Sequence, residues 1–196
     1  MISAIILAAG QSKRMGQPKM LLPWGRSTVI EQVISTFLSA GIEDLIVITG
    51  GARDQVERAL GSYPVRKIHN EEYAAGEMLS SIQRGLRAVP SQMQAALIGL
   101  GDQPQVQEKN VRWICEAYLA GKSGLVVPSF QMRRGHPWLV ARPFWEEILA
   151  LKPPESPRDF LNRHTHEIHY VNVDTPSVLA DLDTPEDYRN SRPKED

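Results

Sequence analysis

Leu7-Ala8-Ala9-Gly10-Gln11-Ser12-Lys13-Arg14-Met15-Gly16-Gln17-Pro18-Lys19 is the stretch whose reading decides the fold. The residues leading into it, 3–8, are an apolar run of the kind found in interior strands covered on both faces. Such a strand, delivering the chain to small residues and then to a glycine-bearing loop, opens an α/β unit in which a ligand can approach the backbone closely. Successive free N–H groups in the loop can form an anion-binding concavity. Arg14 and Lys19 add a guanidinium fork and a mobile ammonium, a pair suited to a triphosphate. The spacing is neither G-x-G-x-x-G nor G-x-x-x-x-G-K-[ST], so neither the dinucleotide fingerprint nor the P-loop fits. The plain alternative is a basic surface turn.

Outward from the loop the same rhythm repeats. Apolar runs at 45–49, 65–69, 95–100 and 125–129 predict further interior strands, and helical spacing at 28–40, 53–60, 78–89 and 107–120 predicts helices between them. Ser27 stands as a cap for the first helix and Gly41 as its stop. This order predicts an α/β fold of three layers, Rossmann-like, with a mostly parallel, right-handed sheet. Past residue 129 the rhythm changes. Met132-Arg133-Arg134-Gly135-His136-Pro137 reads as a turn, 138–141 as a short strand, 144–151 as a helix, 152–157 as a proline-rich loop and 167–173 as a half-exposed strand. Thr184-Pro185-Glu186-Asp187 opens a last helix, with threonine at the cap and acids beside the positive helix end. Residues 1–190 are expected to form one domain and 191–196 a disordered tail.

The chain has 196 residues, 42% of them apolar and 23% charged, with a formal net charge of −1. That balance suits a soluble globular protein and provides no global positive field for nucleic acid or an anionic membrane. An anionic ligand must therefore be held by local features. The first residues lack a basic leader region and no apolar run approaches a membrane span. The single cysteine, Cys115, cannot form an internal disulfide; a cytoplasmic protein is expected. Cys115 falls on the apolar side of its helix and reads as core, and Trp113, Trp138 and Trp145 read as packing residues. His164, His166 and His169 raise a zinc site as an alternative, but no cysteines accompany them, and a solvated cluster is expected.

Two acidic motifs complete the chemistry. Leu100-Gly101-Asp102-Gln103-Pro104 puts a carboxylate at the carboxyl end of a predicted strand, where ligands bind in open α/β sheets. An ionised Asp there is a hard oxygen ligand suited to Mg²⁺ bridging phosphate oxygens. The alternative is a turn that uses Asp as a cap. Asp181-Leu182-Asp183-Thr184-Pro185-Glu186-Asp187 holds two carboxylates two apart; on an extended segment both point the same way and could complete a metal site. The alternative there is an acidic helix start.

Together L-A-A-G-x-S-x-R-M-G-x-x-K, G-D-Q-P, G-H-P and D-x-D-T-P-E-D resemble the MobA-like family of molybdenum cofactor nucleotidyltransferases, most closely its cytidylyltransferase branch, over residues 4–188. The resemblance implies a fold of the nucleotide-diphospho-sugar transferase type, and transfer of CMP from CTP to a molybdopterin-type cofactor phosphate with Mg²⁺. It implies that Leu7, Ala8, Ala9 and Gly10 border the nucleotide and that Ser12, Arg14 and Lys19 hold the triphosphate. Asp102 would bind Mg²⁺, with Asp183 or Asp181 as second ligand. Asn70, Gly76-Glu77-Met78, Ser80 and Ser81 match a stretch lining the nucleotide pocket. Gly135, His136 and Pro137 match the acceptor side. Where the branch has G-D-x-G-A-R this chain has Pro154-Glu155-Ser156-Pro157-Arg158, of which Arg158 alone matches. Ala9, where the guanylyl branch carries glycine, implies a methyl that narrows the base site toward CTP. A molybdoenzyme or chaperone is an implied partner. Guanylyl transfer, a sugar or isoprenoid phosphate acceptor, and a catalytically silent nucleotide-binding chaperone stay open.

Overall fold

In the computed structural model, described for residues 1–75 and 77–193, the chain starts with β1 (Ile2–Ala8) and passes through the glycine loop to a short ribbon, β2 (Pro23–Trp24) and β3 (Ser27–Thr28). It continues through α1 (Val29–Ser39), β4 (Asp44–Thr49), α2 (Arg53–Ala59), β5 (Arg66–His69), α3 (Glu77–Ala88), β6 (Ala95–Leu100), α4 (Glu108–Leu119) and β7 (Leu125–Phe130). The last third adds β8 (Arg133–Arg134), β9 (Trp138–Ala141), α5 (Trp145–Ala150), α6 (Pro157–Arg163), β10 (Ile168–Asn172) and α7 (Pro185–Ser191). Gly76, part of the expected pocket stretch, and the tail residues 194–196 lie outside the described residues.

The main sheet runs β10-β7-β9-β6-β1-β4-β5, with β8 hydrogen-bonded to β7. β1 pairs in parallel with β4 and β6, and β4 with β5. Successive side chains of a strand face opposite ways, and β1 shows this directly. Ile5 and Leu7 pack with Ile46, Ile48, Leu79 and Ile82 on one side; Ala4 and Ile6 pack with Ile30, Ile34, Phe37 and Val47 on the other. Each fully buried side chain of this size contributes about 1.5–3 kcal/mol relative to exposure. A strand apolar on both faces is therefore stable only between two helical layers, and the mostly parallel, three-layer α/β fold follows.

Four features depart from the sequence expectation. The cap of α1 is Thr28, whose hydroxyl accepts from the Glu31 N–H while Glu31 returns a bond to the Thr28 N–H, so Ser27 belongs to the ribbon. β9 runs antiparallel between β6 and β7. The direction reverses because β7 turns sharply into β8 at Gln131 and Met132, both at positive φ, a geometry whose usual residues, Asn and Gly, are missing here. The expected turn thus contains a strand. Third, α6 starts on the last residue of the expected proline-rich loop and continues through residues for which the sequence predicts no element. Ser156 caps it: its hydroxyl accepts from the Asp159 N–H and its own N–H donates to the Asp159 carboxylate, with Pro157 at the first turn. Fourth, α7 extends through Ser191, one residue into the expected tail. Among the described residues no helix is long and apolar enough to cross a membrane.

The parallel strands β1, β4, β5 and β6 end along one edge. There the glycine at the end of β4 is forced by contact: a Cβ on Gly50 would lie 2.3 Å from the Ala9 carbonyl oxygen and 2.7 Å from its Cα. Backbone at the end of the central strand cannot give way, so Gly50→Ala should destabilise by at least about 1–3 kcal/mol, the usual range for overpacking. Urea midpoints of the two proteins check this; an unchanged midpoint would show the two strand ends free to separate.

Candidate active site

The loop after β1 is organised by Ser12. This residue sits at φ 51°, and its carbonyl accepts from the N–H groups of Met15 and Gly16. Its hydroxyl accepts from the Lys19 N–H at 3.1 Å, and a hydroxyl so used keeps its own hydrogen to donate. Gly10 is open, with nothing within 4 Å of a would-be Cβ. Gly10, Gln11, Ser12, Lys13, Gly51 and Tyr73 are among the residues lining a concavity of about 470 Å³ on this loop. Leu7, Ala8 and Ala9 are buried. The carbonyls of Leu7 and Ala9 accept from Gly101 and Gly51 N–H groups. The Ala9 methyl packs in the core cluster and is not among the residues lining this concavity.

Lys19 lies where three distant segments meet. Its ammonium bonds to Asp102 Oδ2 and, at 3.3 Å, to Asp183 Oδ1. Arg14 reaches the other oxygen of Asp183 at 2.9 Å. The Lys19 and Asp102 side chains are only 12% and 13% exposed, while Arg14 is 69% exposed. The two pairs therefore differ in kind. An exposed ion pair contributes about 0.2–1 kcal/mol, so Arg14 can leave it at little cost. A desolvated pair cannot be opened without another charge replacing its partner. Burial works against the Lys19 charge, but Asp102 and Asp183 outweigh it and hold the ammonium above its usual pKa.

The acidic segment reaches this corner because Leu182, fully buried, packs with Met15, Leu22, Trp24 and Val29. Leu182 points in and its two neighbours point the other way, as alternation on an extended segment requires. Leu182 N–H donates to the Asp102 carbonyl at 3.2 Å. Asp181 accepts from Gln103 Nε2 at 2.7 Å. Burial, then the nearby Asp102, pushes the Asp181 carboxyl above the usual range. Among the described residues there is no group of three or more His, Cys, Asp or Glu arranged to hold a metal; the Lys19 ammonium lies between Asp102 and Asp183. An ammonium held by two hard carboxylates marks a place where a divalent cation fits by charge and donor type.

Asn70 is 3% exposed, and its side chain is occupied within the fold: Nδ2 donates to Ser80 and Ser81 hydroxyls, and Oδ1 accepts from Glu72 N–H. It fastens the first turn of α3 to the end of β5. On the far side of α3 lies a larger cavity, about 920 Å³, whose lining includes Met78, Arg133, Gly135, His136, Trp138 and Arg158. The antiparallel direction of β9 is what brings Gly135 and His136 to the Asp102 edge. Gly135 is glycine because a Cβ would lie 2.4 Å from the Val178 carbonyl oxygen. His136 Nδ1 donates to the Ile98 carbonyl at 3.3 Å, and burial lowers its pKa. Arg134 is spent on the wall, bonding Tyr170, Asn162 and Thr165. Arg158, at the start of α6, is exposed at the cavity.

Sequence reasoning quoted Gln103 without a role and missed the helix carrying Arg158. Its signal was present: Ser156-Pro157-Arg158-Asp159 repeats the cap pattern recognised at Thr184. His164 departs from the expected solvated cluster: its ring packs against Phe144 and Phe160, and both ring nitrogens meet carboxylates, Glu147 at 2.6 Å and Glu167 at 2.7 Å. Cys115 is half-buried, and burial pushes its thiol to about 11, unfit for a nucleophile.

Residues 4–168 match the model of the MobA-like NTP transferase domain. Molybdenum cofactor cytidylyltransferase of Escherichia coli (strain K12) is 30% identical over 188 residues, covering 95% of this chain and 93% of that protein. Nicotine blue oxidoreductase of Paenarthrobacter nicotinovorans is 26% identical over 193 residues, 94% of this chain and 93% of that protein. The crystal structure of Rv0371c from Mycobacterium tuberculosis H37Rv in complex with manganese has a TM-score of 0.82 at 29% identity, covering 96% of each chain. The fold is of the nucleotide-diphospho-sugar transferase type.

Two imidazoles should titrate on opposite sides of 6.5. The Glu167 and Glu147 bonds raise His164 despite its burial, whereas His136 is lowered. The raised group lends stability in full below about 6.5, lost as pH rises through its folded pKa. The lowered group works oppositely, its contribution present above about 6.5 and lost as pH falls through its folded value. Ring-proton NMR titration reads both; two midpoints near 6.5 would contradict the geometry.

Proposed function

Because the chain belongs to the MobA-like NTP transferase family and is a nucleotidyltransferase of that type, we propose that it transfers CMP from CTP to the phosphate of a molybdopterin-type cofactor, with Mg²⁺, in the cytoplasm. The observation that carries this reading is the corner where Arg14 and Lys19 stand against Asp102 and Asp183 beside the glycine loop. The E. coli relative's cytidylyl activity and the manganese complex of Rv0371c support it further. The oxidoreductase relative illustrates that one scaffold hosts more than one reaction; a cationic pair facing paired carboxylates favours phosphoryl chemistry here.

The roles follow from chemistry. Leu7, Ala8, Ala9 and Gly10 present backbone to the nucleotide. Ser12, Arg14 and Lys19 hold the triphosphate, and Asn70 and Ser80 support the pocket from α3. Asp102 and Asp183 hold Mg²⁺, which neutralises phosphate oxygens when bound. Gly135, His136 and Arg158 face the acceptor, whose phosphate oxygen attacks the α-phosphorus in line. One P–O bond forms, the bond to pyrophosphate breaks, and positioning with charge neutralisation lowers the barrier. An acceptor phosphate is anionic at neutral pH, so no general base is needed. Residues 1–190 act as one domain, and the product passes to a molybdoenzyme or its chaperone.

Pyrophosphate release from CTP or GTP, with molybdopterin, sugar phosphates and isoprenoid phosphates as acceptors, tests the reading. CTP with the molybdopterin cofactor should be used best; equal or better use of GTP would sink the cytidylyl assignment. Asp102→Asn should remove turnover and leave the fold intact. Arg14→Ala and Lys19→Ala should each slow transfer by roughly a hundredfold or more; few-fold losses would mark the loop as a mere basic turn.

Lys19 has a second consequence. Its ammonium competes with a divalent ion for Asp102 and Asp183, so Lys19→Ala should bind Mn²⁺ more tightly than the unmodified protein when nucleotide is absent, even while losing turnover. Free Mn²⁺ measured by electron paramagnetic resonance decides; weaker binding by the variant would show that Lys19 does not occupy the ion's place.

A further inference from the structure

Val178 offers one carbonyl to two motifs far apart in sequence. Its oxygen accepts from the His136 N–H at 2.9 Å and from Gln103 Nε2 at 3.4 Å. The same Gln103 nitrogen donates to Asp181 Oδ1 at 2.7 Å. One residue after Asp102, a single amide thus grips the segment that carries Asp181 and Asp183, at the point where that segment touches the wall of the larger cavity. Asn110 adds a parallel grip through Ser177 at 3.2 Å.

Gln103 is a poor choice for packing alone. It is 2% exposed, and its Oε1 is buried without a hydrogen-bond partner among the described residues. A methionine of equal length would fill the space without burying an unpaired oxygen, which carries a cost. What methionine cannot do is donate to Asp181 and Val178.

Resting on the metal reading above, we propose that Gln103 is a positioning residue. It sets Asp181 and Asp183 against Asp102, and through the Val178 carbonyl it ties that spacing to Gly135 and His136 in the acceptor wall. Partners that orient ligand-bearing groups typically change metal affinity by about 10- to 100-fold when removed.

The test is Mn²⁺ binding to the protein alone, followed by electron paramagnetic resonance, with the thermal midpoint measured in parallel. Gln103→Met and Gln103→Ala both lose the amide but differ in packing. Both should weaken Mn²⁺ binding by a similar factor, roughly 10- to 100-fold, although Gln103→Ala melts lower. If Gln103→Met does not fold, Gln103→Asn, polar but too short to reach Asp181, should give the same loss. In the acceptor assay the amide-deficient variant should also raise KM for the acceptor. Affinity that follows the melting temperature, or that stays unchanged, overturns the proposal and leaves the metal reading intact. Failure of both the unmodified protein and Lys19→Ala to take up Mn²⁺, or uptake unaffected by Asp102→Asn, overturns the metal reading and this proposal with it.

Discussion

Asp102, from the middle of the chain, and Asp181 and Asp183, from near its C-terminus, are drawn into one half-buried corner, and carboxylates so gathered repel one another. Two like charges about 5 Å apart cost about 3 kcal/mol at the effective dielectric of a protein. The corner is stable because Lys19 is anchored within it, held by Asp102 and Asp183 together. Burial raises Asp181 and leaves the Gln103 amide as its partner. The glycine loop, the end of β6 and the segment before α7 are joined by this charge balance.

Apolar packing sets where that balance occurs. Met15 stands beside Arg14, and Leu182 stands between Asp181 and Asp183; both belong to the small cluster under Trp24 and Val29. Burying these side chains turns their charged neighbours outward to one another. The cluster is extended by Tyr188 of α7, whose hydroxyl donates to the Pro23 carbonyl at 2.6 Å. The last helix thus acts as a strap across the ribbon that follows the loop.

The loop concavity and the larger cavity are built on different structural terms. The loop concavity is backbone and small residues at the ends of parallel strands, as expected where an α/β sheet meets its ligand. The larger cavity is walled in part by Met78 and Leu79 of α3 and mainly by the irregular last third: a reversed strand, a sharp hairpin and the start of α6. Changes in its loop-borne lining at 153–156 can reshape that cavity without disturbing the sheet, since loops tolerate variation that interior strands do not.

By itself the sequence determined the sheet, its flanking helices and the candidate charges. Periodicity in residues 3–8, 45–49 and 95–100 reports burial on both faces, a property of each segment taken alone. Capping at Thr184 is equally local, and the matching box at Ser156 was just as legible. Only the tertiary structure decided the direction of β9, the seating of the Ala9 methyl in the core, the occupation of the Asn70 amide, and the contact of Lys19 with Asp183. The Asn70 amide nitrogen meets a serine 10 residues away and Lys19 a carboxylate 164 residues away, and no local pattern of polar and apolar residues encodes which distant carbonyl or carboxylate a side chain will meet. That choice is made when the strands pair and the core closes, because packing then fixes which groups lose water and must find one another.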